Sequence, residues 1–187
     1  MRSRDRLKSP ASPEPKAAKV EAAKTQAAKI QAALGLGGNV GDVRAAFTRA
    51  LAVLADAPGV EVLRKSSLYH TAPWGPVAQP PFLNMAVLVR TTLSPHRLLD
   101  LCLSIERREG RVRAERFGPR TLDVDILAFG ELVLSDERLT LPHPRLLERA
   151  FALVPLAEIA PELVIGGVGI GEAAERLGRT GIERLEA

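Results

Sequence analysis

Cysteine is nearly absent: of 187 residues only Cys102 carries a thiol. No disulfide can form within the chain, which points to a reducing compartment, the cytoplasm. Cys102 falls inside an apolar helical pattern, which predicts a buried and inert thiol. Histidine is scarce as well, and His70, His96 and His143 stand in unrelated contexts, so no histidine cluster for zinc is expected. No Ser/His/Asp or Cys/His spacing marks a covalent nucleophile. Long apolar runs are missing too. None reaches the roughly 18 residues of a membrane span, and none follows the basic start as in a secretory signal. Aromatic residues make up 4% of the chain, and this bears on its pI of about 9.6. Residues 1–33 hold eight Lys/Arg and three Asp/Glu, which leaves 18 basic against 19 acidic residues in the remainder. The basicity therefore belongs to the start of the chain, where no aromatic residue occurs. Single-strand nucleic-acid binders combine a basic groove with stacking rings, so nucleic acid is not an expected partner.

Hydrophobic residues make up 46% of the chain, enough for one domain with a proper core. Residues 1–31 differ in composition. Met1 to Pro15 is polar and proline-bearing, and Lys16 to Gln31 is a low-complexity Ala/Lys segment with almost nothing large to bury. The expected organisation is a solvated basic tail over 1–31 and a single domain over 32–187. Within the domain, Ala33 to Gly37 reads as a short strand. A glycine-rich turn leads to a helix capped by Asp42, with Phe47, Leu51 and Leu54 on one face. Val60–Tyr69 reads as one strand, 70–81 as a proline-constrained loop and Phe82–Thr92 as a second strand. Ser94-Pro95 opens a helix that ends at Gly110 and presents Leu98, Leu101, Cys102 and Ile105 on one face. Residues 111–120 form a basic loop and 121–129 a strand. Leu146 to Ile159 has helical spacing that Pro155 is expected to end or kink. From Gly166 a turn and a short amphipathic helix finish the chain. This order predicts an α/β (α+β) fold with a ferredoxin-like split βαβ core and helices on an antiparallel or mixed sheet.

The sharpest local signal is Leu122-Asp123-Val124-Asp125-Ile126. Side chains alternate across a strand, so Leu122, Val124 and Ile126 share one face and Asp123 and Asp125 the other. Two neighbouring carboxylates repel unless a cation meets them, and hard oxygen ligands suit Mg²⁺. Arg111, Arg113, Arg116 and Arg120 lie just upstream. Carboxylates for a metal beside arginines for phosphate is the equipment of phosphoryl-type transfer. The glycine stretch 35–41 reads either as a phosphate cradle or, better, as a tight strand-to-helix connection, because it lacks the P-loop and dinucleotide spacings. Trp74 and Phe82 are core residues by default, or else walls for a flat heteroaromatic ligand, with Asn84 placed to read ring nitrogens.

Taken together, these stretches resemble the 6-hydroxymethyl-7,8-dihydropterin pyrophosphokinase family of folate biosynthesis. The most specific element is Arg116-x-Gly-Pro-Arg120-x-x-Asp123-Val-Asp125-Ile-Leu. Supporting blocks are Leu34-Gly-Leu-Gly-Gly-Asn39, Tyr69-His-Thr71-Ala-Pro73-Trp-Gly75-Pro, Phe82-Leu-Asn84, Gly110-Arg-Val-Arg113 and Arg138-Leu-Thr140-Leu-Pro-His143-Pro. The likeness runs from Leu34 to about Leu163, around 70% of the chain. It implies transfer of pyrophosphate from ATP to the pterin hydroxymethyl, with release of AMP. It also implies two Mg²⁺ ions on Asp123 and Asp125, with Arg111 and Arg120 helping the chemical step. Pterin contacts are implied for Thr71, Ala72, Pro73, Trp74, Phe82, Asn84 and Phe151. ATP contacts are implied for Glu106, Arg113, Arg116, Ile126, Arg138, Thr140, His143 and Arg149. The partners are then small molecules met by a monomer, with no membrane. Two other readings are an Asp-x-Asp glycosyltransferase, for which the domain is small, and a non-catalytic binding module with a basic arm.

Overall fold

The structure, a computed structural model, describes residues 28–73, 78–111 and 118–185. Its centre is a six-stranded sheet in which every described pair is antiparallel. The strands are β1 (Ile30–Gly38), β2 (Val60–Lys65), β3 (Tyr69–Thr71), β4 (Phe82–Thr91), β5 (Asp123–Phe129) and, near the end of the chain, β10 (Ile182–Arg184). The order across the sheet is β10-β3-β4-β1-β5, with β2 pairing the far half of β4. Two small hairpins lie outside it, β6 (Leu134–Ser135) with β7 (Thr140–Leu141) and β8 (Val164–Ile165) with β9 (Val168–Gly169).

Helices α1 (Val43–Asp56) and α2 (Pro95–Arg108) cover one face. Both begin at the caps read from the sequence. The Asp42 carboxylate accepts from Ala45 N–H at 3.0 Å, and Ser94 Oγ accepts from Arg97 N–H at 3.3 Å with Pro95 in the first turn. These bonds satisfy N–H groups that a helix start otherwise leaves orphaned. Phe47 and Leu54 of α1 and Leu98, Cys102 and Ile105 of α2 are buried against Leu34, Leu36, Val87, Val124 and Ile126 of the sheet. The opposite face is covered by α3 (Ala150–Ile159), preceded by a 3₁₀ turn at Leu146–Glu148, and by α4 (Ile170–Leu177). Leu153, Leu156 and Ile170 pack there on Ala33, Ala86 and Leu127. The result is the α+β architecture expected from the sequence, with the sheet buried on both sides.

Four details differ from expectation. The strand Val60–Tyr69 is broken into β2 and β3, both of which run along β4. Between them Ser66 takes over the ladder, its N–H donating to Ala86 O and its Oγ accepting from Ala86 N–H, both at 2.9 Å. Strand β1 starts at Ile30, two residues inside the segment read as tail. Gly38, read as the first residue of the turn, is the last residue of β1, and within that turn only Gly41 has positive φ. Helix α3 runs through Pro155 to Ile159. The missing proline N–H removes a bond to one carbonyl, while Ala152, Leu153, Val154 and Leu156 around it are buried apolar side chains that hold the helix on the sheet. Among the described residues no helix is long and apolar enough to cross a membrane.

Cys102 is fully buried, and burial together with the nearby Glu106 carboxylate pushes its thiol up to about 12. It is the thiol, not the thiolate, at neutral pH, and it cannot be reached. The folded chain is expected to leave a thiol-specific reagent unreacted and to titrate one thiol once denatured. Rapid modification of the folded chain would contradict the packing of α2 described here.

Candidate active site

Strand β5 is the end of the sheet, and its alternation builds the site. Val124 and Ile126 turn into the α1/α2 core, so Asp123 and Asp125 emerge together on the other face. Register places Asp123 beside Gly37 and Asn84, and Asp125 beside Gly35 and Ala86, across three strands. Paired residues in an antiparallel ladder project to the same side. Gly35 and Gly37 therefore leave the floor open where any larger residue would fill it. A Cβ on Gly37 would lie 2.9 Å from Asn84 Oδ1. Asn84 and Thr71 are both buried, and Asn84 Nδ2 donates to Thr71 Oγ1 at 2.7 Å. The glycine stretch thus joins β1 to α1, as its spacing predicts, and Gly35 and Gly37 lie on the strand. They keep it bare beneath a cleft of about 700 Å³.

The outer edge of β5 is closed by side-chain and loop groups. The Glu106 carboxylate, at the end of the buried face of α2, accepts from Val124 N–H at 2.9 Å, and His143 N–H donates to Leu127 O at 2.9 Å. Arg111 joins Glu106 at 2.5 Å and also binds one oxygen of Asp123. Arg120 reaches the other Asp123 oxygen at 2.5 Å. Arg149 lies 3.6 Å from Asp125. Each of the last two arginines also covers a ring, Arg120 over Phe82 at 5.3 Å and Arg149 over Phe151 at 5.6 Å.

Charge is unevenly satisfied. Asp123 has two guanidiniums in contact. Asp125, deep in the cleft with 41% of its side chain still open to solvent, is pushed well above the ordinary carboxylate range, first by loss of water and then by Asp123. A carboxyl raised in this way costs stability as pH climbs from the unfolded-state pKa through the folded one, since the folded chain holds its proton longer. A cation on that face would reverse the effect. The oxygen donors fit a hard divalent ion such as Mg²⁺. Among the described residues no third His, Cys, Asp or Glu joins them, so such an ion would complete its shell with water and ligand oxygens. Arg120 Nε is buried with no hydrogen-bond partner among the described residues, which leaves a donor for an anion. His143 is held down to about 4 by burial and by Arg149, so its imidazole is neutral at pH 7.

Nearly all the residues singled out in the sequence meet here. Phe151 lines the cleft beside Arg149, and Thr71, Ala72, Phe82 and Asn84 line one end of it. Glu106, Ile126, Arg138, Thr140, His143 and Arg149 line the other, with Arg111, Arg120, Asp123 and Asp125 between. Arg138 is drawn to Asp100 of α2 at 2.6 Å. Pro73 is described but does not line the cleft. Trp74, Arg113 and Arg116 lie outside the described residues. Not foreseen were the apolar wall of Leu99 and Leu103 on α2 and the junction at Asn39. Asn39 donates to Gln79 and to Pro80 O at 3.0 Å and accepts from Arg120 N–H at 2.9 Å, tying the two cleft loops together. Helical spacing marks the face of Leu99 and Leu103 only as apolar. The Asn39 bonds span 40 and 81 residues, beyond any local pattern.

Strand-borne carboxylates flanked by arginines, beside a ring-walled pocket in an α+β sandwich, define a transferase of phosphate-bearing groups. The chain belongs to the 7,8-dihydro-6-hydroxymethylpterin-pyrophosphokinase family, whose pattern it matches over residues 33–161. It is similar to the 2-amino-4-hydroxy-6-hydroxymethyldihydropteridine pyrophosphokinase of Methylorubrum extorquens, with 54% identity over 153 residues, 82% of this chain and 97% of that one. The enzyme of the same name from Bacillus subtilis is 46% identical over 130 residues, 70% of this chain and 78% of the relative. Among solved structures, Plasmodium falciparum HPPK-DHPS with pterin and p-hydroxybenzoate shares the fold, with a TM-score of 0.66 at 15% identity. The match covers 86% of this chain but 47% of that longer one. The chain is thus an enzyme of the diphosphotransferase type.

The bare floor generates a test. Gly37→Ala pushes a methyl group onto Asn84, which is held in place by Thr71. Its expected effect is weaker binding of ring-bearing ligands, by about tenfold or more, with the sheet still formed. Calorimetric titration beside circular dichroism checks it, and unchanged ligand affinity would contradict the floor described.

Proposed function

We propose that the chain transfers the pyrophosphoryl group of ATP to the hydroxymethyl of 6-hydroxymethyl-7,8-dihydropterin, giving the pterin diphosphate and AMP, and that it does so as a monomer. The observation that carries this reading is the juxtaposition of Asp123 and Asp125 with Arg111, Arg120 and Arg149 on the floor of one cleft. The hydroxymethyl oxygen bonds to the β-phosphorus, and the bond from that phosphorus to the oxygen shared with the α-phosphate breaks. AMP departs with that oxygen, and the hydroxyl proton passes to water. Catalysis of this kind is positioning and charge stabilisation, the work for which paired carboxylates and guanidiniums are suited.

Asp123 and Asp125 would hold two Mg²⁺ ions, which when bound neutralise phosphate oxygens. Arg111 and Arg120, at the two oxygens of Asp123, stand where a polyphosphate crossing that position would lie, and the open Nε of Arg120 suits a phosphate oxygen. The pterin end is assigned to Thr71, Ala72, Pro73, Trp74, Phe82, Asn84 and Phe151, with the buried Asn84 amide reading the ring edge and the two phenylalanines walling its faces. The nucleotide end is assigned to Glu106, Arg113, Arg116, Ile126, Arg138, Thr140, His143 and Arg149. Glu106, engaged by Val124 N–H and Arg111, serves there by fixing the β5 edge. Neutral His143 can accept or donate without adding charge.

With ATP, Mg²⁺ and the dihydropterin, AMP is expected in equal amount to pterin diphosphate. ADP in its place contradicts the reading. Asp125→Asn is expected to lower turnover by about 10³-fold. It also removes a carboxylate that is unfavourable at neutral pH, so the melting temperature should hold or rise. Near-normal turnover in this variant removes the metal-ligand role.

A further inference from the structure

The reading above leaves β10 and Glu158 without a role. Glu158, near the end of α3, turns its carboxylate to the break between β2 and β3. It accepts from Ser67 N–H at 2.9 Å, Ser67 Oγ–H at 2.8 Å, Tyr69 O–H at 3.0 Å and Arg184 Nη2 at 2.9 Å. Arg184 Nε also donates to Ser67 Oγ at 2.9 Å. Ser67, Glu158 and Arg184 thus form a closed ring of bonds, in which Ser67 Oγ donates to one partner and accepts from the other. Four donors fill the acceptor capacity of one carboxylate, and these bonds are of the stronger, charge-assisted kind.

The ring sits at the root of the pterin end. Strand β10 pairs with the outer edge of β3, Ile182 with Thr71, Glu183 with His70 and Arg184 with Tyr69. Ala72 N–H donates to Gly181 O at 3.3 Å, and Leu185 N–H donates to Leu68 O at 2.8 Å. Strand β3 is three residues long, and without β10 it would be an edge strand paired with β4 alone. Its direction sets Thr71 Oγ1, the acceptor for Asn84, and the start of the loop at Ala72. Arg184 lies outside residues 33–161, which match the family.

We propose that Glu158 and Arg184 are positioning residues for pterin recognition: their ring with Ser67 docks β10 on β3 and so fixes Thr71 and Ala72 at the mouth of the cleft. The inference rests on the assignment of Thr71 and Ala72 to the pterin. Of the described nucleotide residues, Ile126 stands on β5, Thr140 on β7, Glu106 on α2 beside β5, and His143 and Arg149 in the segment before α3, mostly at the other edge of the sheet. Loss of the clamp therefore weakens one ligand and spares the other, whereas loss of a mere structural staple weakens both.

The test uses the full chain with Arg184→Ala, Glu158→Gln and Arg184→Lys. The Arg184 side chain is 62% exposed, so its replacement does not threaten the core. The dihydropterin is titrated calorimetrically in the presence of Mg²⁺ and a non-hydrolysable ATP analogue, and the analogue is titrated alone. Arg184→Ala and Glu158→Gln are expected to raise the pterin Kd and KM by about tenfold and to leave analogue affinity within about twofold. Arg184→Lys is expected to recover most of the loss. Equal weakening of both ligands together with a lower melting temperature overturns the proposal, as does unchanged pterin affinity. If the unaltered chain itself takes no pterin, the assignment of the cleft falls, and amide exchange at Ala72 decides the clamp. Faster exchange in Arg184→Ala upholds it and unchanged exchange overturns it.

Discussion

The two-residue alternation of β5 governs this molecule. Burial of Val124 and Ile126 under α1 and α2 leaves Asp123 and Asp125 no choice but the opposite face. A slip of one residue would bury both carboxylates in the core and expose two large apolar side chains, so the register is strongly specified. Because β5 closes the sheet, the same residues stand at its rim, where the Glu106 carboxylate and the His143 amide take its outward backbone groups. Everything else in the cleft is arranged about that line: bare glycines on β1, the Asn84–Thr71 pair on β4 and β3, and arginines from the flanking loops.

Two carboxylates side by side create the electrostatic problem that the surroundings answer unequally. Asp123 is bracketed by Arg111 and Arg120. Arg111 is itself shared with the buried Glu106, so its removal would take a guanidinium from two carboxylates at once, a loss of about 3–5 kcal/mol for a buried pair. Asp125 has the more distant Arg149 at 3.6 Å and is pushed upward. One carboxylate is thus already engaged by guanidiniums, and the other waits for positive charge. The rings of Phe82 and Phe151 join this network through Arg120 and Arg149, which links the ring-walled end of the cleft to its charged floor.

Much of this could be read from residues in order. The Asp-bearing alternation, the Asp42 and Ser94 caps and the apolar face of α2 are local signals, and each appears in the fold as written. What escaped depends on distant partners. Gly35 and Gly37 can be placed on a strand, but nothing nearby in the chain shows that they oppose Asp125, Asp123 and Asn84 across neighbouring strands. Strand β10 has three residues and exists because β3 offers an edge. Pro155 stays in a helix because the sheet beneath holds its neighbours. Arg149 and Phe151 have no local mark of function and were indicated only by family likeness. The fold then brought them to the cleft.

The central claim is that Asp123 and Asp125 form one metal-bearing face. Crystals of the chain grown with Mn²⁺ in place of Mg²⁺, a non-hydrolysable ATP analogue and the dihydropterin test it by anomalous scattering. The account predicts manganese peaks within bonding distance of both carboxylates, with phosphate oxygens and water completing each shell. Manganese found only on the nucleotide, with both aspartates still held by Arg111, Arg120 and Arg149, would contradict it.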